Sequence, residues 1–162
     1  MKVIKNKTVI TDDWKLIREL DNSASIPEGN VILPFSYWKA KRDELLKQDT
    51  EHAVWINGSI NTEELVDDLE SFSLIALDFP AFKDGRSYSH ARLLRDRYHF
   101  QGELRAIGDV LRDQLFFMQR CGIDSFEVRE DKNVEDALKG LEDFTVRYQA
   151  AADDAIPVYK LR

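Results

Sequence analysis

The stretch FKDGRSYSHARLLRDRY, from Phe82 to Tyr98, places four arginines and a lysine in a chain whose net charge is −7. Guanidinium groups suit one kind of chemistry in particular, the binding of carboxylate, sulfate or phosphate through paired N–H donors in a planar fork. Asp84-Gly85-Arg86 reads as a tight loop, with Ser87 and Ser89 following it at the start of a helix. Backbone N–H groups at helix starts favour anions. Arg86, Ser87, Ser89 and Arg92 are therefore the candidate anion contacts. A fifth candidate, Arg105, lies in the strand GELRAIGD, where Glu103 and Arg105 stand two apart and so share a face. Charge in a buried strand is costly unless paired, which makes Glu103 and Asp78 the expected partners. The functional rival is an arginine held rigidly at the floor of a site. Asp78 and Asp109 follow the apolar runs LIAL and LRAIG. With Arg105 they are the candidate catalytic residues, the acids orienting the arginines or moving protons while cations act by electrostatic positioning.

Each of these residues also has a plainer reading. Asp109 reads as a helix N-cap, and Arg105 as half of a salt bridge at a sheet edge. Tyr88, Arg92, Arg95 and His99 share one helix face beside an apolar face of Ala91, Leu94 and Tyr98. Arginines flanking such a face commonly lie along the surface, the plainer expectation for Arg95 and Arg97. From Lys83 to Arg112, seven basic residues stand against four acids, a local balance of +3 that leaves −10 for the remainder. An island of that size suits a compact anion or an acidic protein surface.

These residues need a frame to hold them. Apolar runs near residues 31, 54, 75, 105 and 126 are each followed by a helical pattern, which predicts an α/β fold with a mainly parallel sheet of βα units and helices outside it. The sheet is expected to be either open and twisted or curled like part of a barrel. Met1–Val9 reads as a strand or hairpin start, residues 10–30 as a loop with a helical turn near Trp14–Leu20, and Ile156–Leu161 as an edge strand. Ser36 is expected to cap a helix, Thr62–Leu69 and Tyr88–Tyr98 to form two more, and Asp109 to open one closed by Gly122. Asn133 is expected to cap a last helix carrying Val134, Leu138, Leu141, Phe144 and Tyr148. At 162 residues, with no low-complexity linker, the chain is expected to form one domain, its motif-bearing core spanning about 53–130.

Much chemistry is missing from the pattern. There is no P-loop, no dinucleotide fingerprint, no G-x-S-x-G, no H-E-x-x-H and no C-x-x-C, so neither cofactor nor metal is expected. The single Cys121 excludes an internal disulfide and reads as a small buried hydrophobe in a reducing cytoplasm. Net acidity argues against nucleic acid as partner, and no apolar stretch is long enough to span a membrane.

The stretch FPAFKDGRSYSHARLLRDRYHFQGELRAIGDVLRDQLFFMQRCGIDSFEVRE resembles the core of a bacterial family of unknown function whose genes typically neighbour that of the sulfite reductase haemoprotein. The family is often labelled an oxidoreductase or sulfite-reduction protein. VITDDWKLI and YQAAADDAIPVYKLR resemble the family's ends. The motif positions here are Asp84, Gly85, Arg86, Ser89, Arg92, Arg95, Gly102, Glu103, Arg105, Gly108, Asp109, Asp113 and Gln114. The resemblance implies a role in assimilatory sulfite reduction, either as an oxyanion-binding enzyme or carrier, or as an accessory protein docking on sulfite reductase or its electron donor. A scaffold whose motif arginines are structural is the third reading.

Overall fold

A computed structural model describes residues 2–80, 85–129 and 131–141. Asp84, Glu130, the far end of the last helix and the expected edge strand at Ile156–Leu161 lie outside the described residues. The described part is mixed α/β, built on one eight-stranded, mostly parallel sheet. Its strands are β1 (Lys2–Lys5), β2 (Thr8–Thr11), β3 (Lys15–Leu16), β4 (Val31–Pro34), β5 (His52–Ile56), β6 (Phe72–Phe79), β7 (Glu103–Gly108) and β8 (Ser125–Phe126). The order across the sheet is β2-β1-β8-β7-β6-β5-β4-β3. From β3 to β8 every neighbouring pair is parallel and consecutive, while the hairpin β1–β2 adds two antiparallel strands beyond β8. Among the described strands there is no reversal of order of the kind that marks a doubly wound sheet.

The chain's connectivity forces the sheet to curl. β2 and β3 occupy opposite edges, about 34 Å apart in a flat sheet at roughly 4.8 Å per strand. Only residues 12–14 join them, and four Cα steps of about 3.8 Å reach no further than about 15 Å. The edges must therefore approach each other. The result is an incomplete barrel with the link Asp12-Asp13-Trp14 running between its edges.

Consecutive crossovers of one hand put the helices on one face. There α1 (Phe35–Leu46), a 3₁₀ helix (Thr62–Ser71), α2 (Arg86–Arg92) and α3 (Arg112–Arg120) cover Val54, Ile56, Ile75, Leu77, Leu104 and Ala106 with Trp38, Leu65, Leu94 and Met118. The alternate residues Ile32, Ala53, Leu74, Ala76 and Ile107 face inward with Trp14, Leu16 and Trp55. The short helix α4 (Val134–Leu138) is capped by Asn133, whose side chain accepts from the Asp136 amide, as expected.

Four local expectations are corrected, the first being the cap at Ser36, since α1 starts at Phe35 with Pro34 in the cap position. The helical turn expected near Trp14–Leu20 is instead the edge strand β3, because Leu16 and Trp14 have an apolar interior to enter and β4 offers free backbone partners. Asp109 does not cap α3, which begins three residues later with Leu111 at the cap position. The helix after Arg86 changes at Leu93 to a π-helical turn, Leu93–Arg97, closed by the Tyr98 amide on the Leu93 carbonyl at 3.0 Å.

One inward-facing group is ionic. Arg105, fully buried, donates from its two Nη atoms to both oxygens of Asp12 at 2.9 and 2.8 Å, and from Nη2 to Glu103 at 2.7 Å. Glu103 also accepts from Ser125 Oγ at 3.0 Å and pairs with Lys5. Burial opposes the charge of Arg105, but its hydrogen bonds to Asp12 and the neighbouring Glu103 hold its pKa above the ordinary value. Burial also opposes the Asp12 carboxylate, and the Arg105 and Trp14 hydrogen bonds outweigh it, so the Asp12 pKa is lowered. Replacing Arg105 by Met leaves the largely buried Asp12 carboxylate without its guanidinium and Glu103 with Lys5 as its counter-charge, and is expected to cost about 3–5 kcal/mol in urea unfolding at pH 7. For Asp12→Asn the sign follows from the lowered pKa. The wild type's advantage is full above the unfolded value of about 3.9 and disappears as pH falls through the lower folded value.

Candidate functional site

The carboxyl ends of parallel strands are where such sheets place ligands, and here β5, β6 and β7 end side by side. After β5 comes the turn Asn57-Gly58, in which Asn57 Oδ1 accepts from the Ser59 amide at 2.8 Å. α2 starts over this turn. His90 Nε2 donates to the Asn57 carbonyl at 3.2 Å, and Ser87 Oγ, buried, donates to the Asp78 carbonyl at 2.7 Å. These two bonds tie the start of α2 to the ends of β5 and β6. They also employ the Ser87 hydroxyl inside the scaffold.

Arg86 is exposed and lies across Gly58. A Cβ on Gly58 would stand 2.5 Å from Arg86 Nε and 2.7 Å from its Cβ, so only glycine permits this approach. Asp78 points the other way, into the mouth of the barrel, and is 8% exposed. Its Oδ1 pairs with Arg18 Nη1 at 3.0 Å, and the Arg18 guanidinium sits 5.2 Å from the Trp55 ring centroid. Gly108, at φ +91°, makes room for Asp78, since a Cβ there would come within 2.6 Å of Asp78 Oδ1 and 2.7 Å of the Phe79 carbonyl.

Asp109 follows at the end of β7, its amide donating to the Phe79 carbonyl at 2.7 Å. Its carboxylate accepts from Arg129 Nη1 at 2.8 Å, and Arg129 also holds Asp131 at 2.6 and 2.8 Å. The Asp131 and Asp109 hydrogen bonds raise the Arg129 pKa. Each strand-end acid pairs with an arginine, but not with Arg86, Arg92 or Arg105, which they were expected to orient. The arginines are Arg18 and Arg129 rather than those of α2.

The other expected contacts are dispersed. Ser89 is exposed on α2. Arg92 lies further down that helix, donating to the Arg120 carbonyl at 3.4 Å and pairing with Asp96 at 3.5 Å. Arg95 clasps the carbonyls of Gly122, Phe100 and Gly102 at 3.0, 2.7 and 2.8 Å, which ties the end of α2 to the start of β7. Arg105 sits inside the barrel, paired with Glu103 as expected and with Asp12 rather than Asp78. The site thus joins Asp78, Arg86 and Ser87, with Asp109 alongside, and leaves Arg92 and Arg105 elsewhere. Arg18, Trp55 and Asp12 are the residues that sequence reasoning missed. Asp12 had an indirect signal, in that an arginine in an apolar strand calls for more than one acid, while Arg18 and Trp55 had none.

The family model of a bacterial protein of unknown function, DUF934, matches residues 53–159. The chain belongs to the DUF934 family. No curated protein and no solved structure matches it. The DUF934 match starts in β5, so the matched segment contains Trp55, Asn57, Asp78, Arg86 and Asp109, whereas Asp12 and Arg18 lie before it. Among the described residues no helix is long and apolar enough to cross a membrane.

Gly108→Ala is expected to lower stability by about 1–3 kcal/mol, because it combines a left-handed backbone with a collision against Asp78 and the Phe79 carbonyl. Chemical denaturation checks this, and a cost below a few tenths of a kcal/mol would show that the mouth yields freely.

Proposed function

We propose that this DUF934 protein binds a small oxyanion at the outer rim of the barrel mouth, as a carrier or enzyme in sulfite reduction. The supporting observation is Arg86, an exposed residue whose side chain is laid across side-chain-free Gly58 beside the end of β5. Inside the mouth, the charge of Asp78 is met by Arg18. Ser89, exposed near the start of α2, is the accompanying hydroxyl. Asp78 and Asp109 act in this reading through the groups they position. Sulfite or sulfate is the substrate class that the family resemblance suggests.

A second reading, an accessory protein docking on sulfite reductase or its electron donor, is favoured by Phe117. Its ring is 54% exposed and meets Tyr88 edge-on at 4.9 Å, on the side where Arg92 reaches α3. An exposed aromatic beside cations suits an acidic partner surface.

Thermal denaturation in sulfite and in sulfate tests the first reading. A concentration of about 100 Kd adds about 2.7 kcal/mol to the folded state. Arg86→Ala is expected to remove that gain in a protein that still folds and unfolds cooperatively, whereas equal protection of the variant would overturn the reading. For the second, co-purification with sulfite reductase is expected to weaken with salt and with Phe117→Ala, and a clean miss at low ionic strength would count against it.

A further inference from the structure

The Arg18 ion pair differs in kind from the other charge pairs of the barrel interior. Arg105, Asp12, Glu103, Ser125 and Lys5 form a connected set in which both carboxylates meet the fully buried Arg105. Asp78 has a single ion-pair partner among the described residues, and that partner's side chain is 43% exposed. The segment carrying it needs no help from this contact. Lys15 and Ile17 donate backbone bonds to Asn30 and Ile32 at 2.9 and 3.0 Å, Trp55 Nε1 donates to the Ile17 carbonyl at 2.9 Å, and Trp14 and Leu16 are packed inside. Arg18 is the first residue beyond the last of these bonds.

What Arg18 occupies has the form of a receptor. A carboxylate side chain that is 12% exposed faces the barrel mouth, and the Arg18 guanidinium that it holds lies over the face of the Trp55 indole. A carboxylate combined with the π face of tryptophan is the recognition chemistry for an organic cation. Gly108 keeps the carboxylate's position open by the absence of a side chain. Trp55 and Asp78 both lie in the segment matched by the family model, whereas the cation filling the place between them comes from outside it.

We propose that Asp78 and Trp55 form a binding site for the guanidinium head of a small organic cation, and that Arg18 is a built-in occupant which leaves when such a ligand enters. The exchange conserves charge, since one guanidinium replaces another and the carboxylate stays neutralised throughout. The oxyanion reading rests on Arg86, on the outer side of the Asn57-Gly58 turn, and stands or falls by a separate measurement.

The test is a titration with methylguanidinium chloride, followed by the NMR signal of the Trp55 indole N–H and matched by sodium chloride at equal ionic strength. Arg18→Ala, with Arg18→Gln as a second variant that keeps a long side chain, is expected to bind saturably, shift the Trp55 signal and regain thermal stability with the probe. Wild type is expected to bind at least tenfold more weakly, because its own arginine competes. Adding Asp78→Asn to Arg18→Ala is expected to weaken binding at least tenfold. Absence of a saturable shift in both Arg18 variants would overturn the proposal. So would equal affinity in wild type and Arg18→Ala, indifference to Asp78→Asn, or a shift reproduced by sodium chloride. A merely structural ion pair would show lost stability that methylguanidinium does not restore. Sulfite protection that persists in Arg18→Ala would leave the oxyanion reading standing whatever the outcome here.

Discussion

The fold turns on one buried guanidinium. Arg105 sits in the interior of a curled sheet, where an unanswered positive charge would be intolerable, and both of its acids are fetched from defined places. Glu103 comes from its own strand and Asp12 from the short link that joins the two edges of the sheet. The pair between Arg105 and Asp12 therefore does topological work, because holding the link across the interior keeps the edges close. Once the sheet is curled, its inner face has two zones. Small and aliphatic residues pack against Trp14 and Leu16, and the ionic set sits beside them under β1 and β8.

That closure also creates the mouth. With the link crossing the interior, the following residues run along the edge by β4 and deliver Arg18 to the carboxyl end of β6. Two glycines then decide what comes together at this end. Gly58 lets Arg86 lie flat over the turn after β5, and Gly108 leaves room for the carboxylate of Asp78. The basic island of the primary structure is thus divided by its helix. Arg86 stays at the mouth, Arg92 grades into surface, and Arg95 is withdrawn to clasp three carbonyls at the opposite ends of the strands. A positive balance along a chain need not be a positive patch in space.

The elements themselves were largely legible. Val31–Leu33, Ala53–Ile56, Leu74–Leu77 and Leu104–Ile107 are short apolar runs with turn residues after them, and each became a strand within a residue or two of its expected ends. The pairing of Arg105 with Glu103 was legible because both sit on one strand face. Asp12 and Arg18 were not, since they lie in a polar segment with no periodicity and meet partners 93 and 60 residues away. Asp109 was misread as a cap because its residue type suits both roles, and Arg129, brought beside it by the pairing of β7 with β8, chose between them.

From the sequence alone one could tell the alternation of strand and helix, the parallel sheet, the membership carried by the arginine-rich motif, and the need of Arg105 for acids. Those properties follow from local pattern and from the cost of burying charge, which act over a few residues. The tertiary structure decided the curl, the identity of the second acid and the occupant of the mouth. Each depends on which edges meet when residues 12–14 bridge the sheet, a constraint of chain length and geometry that no local pattern records.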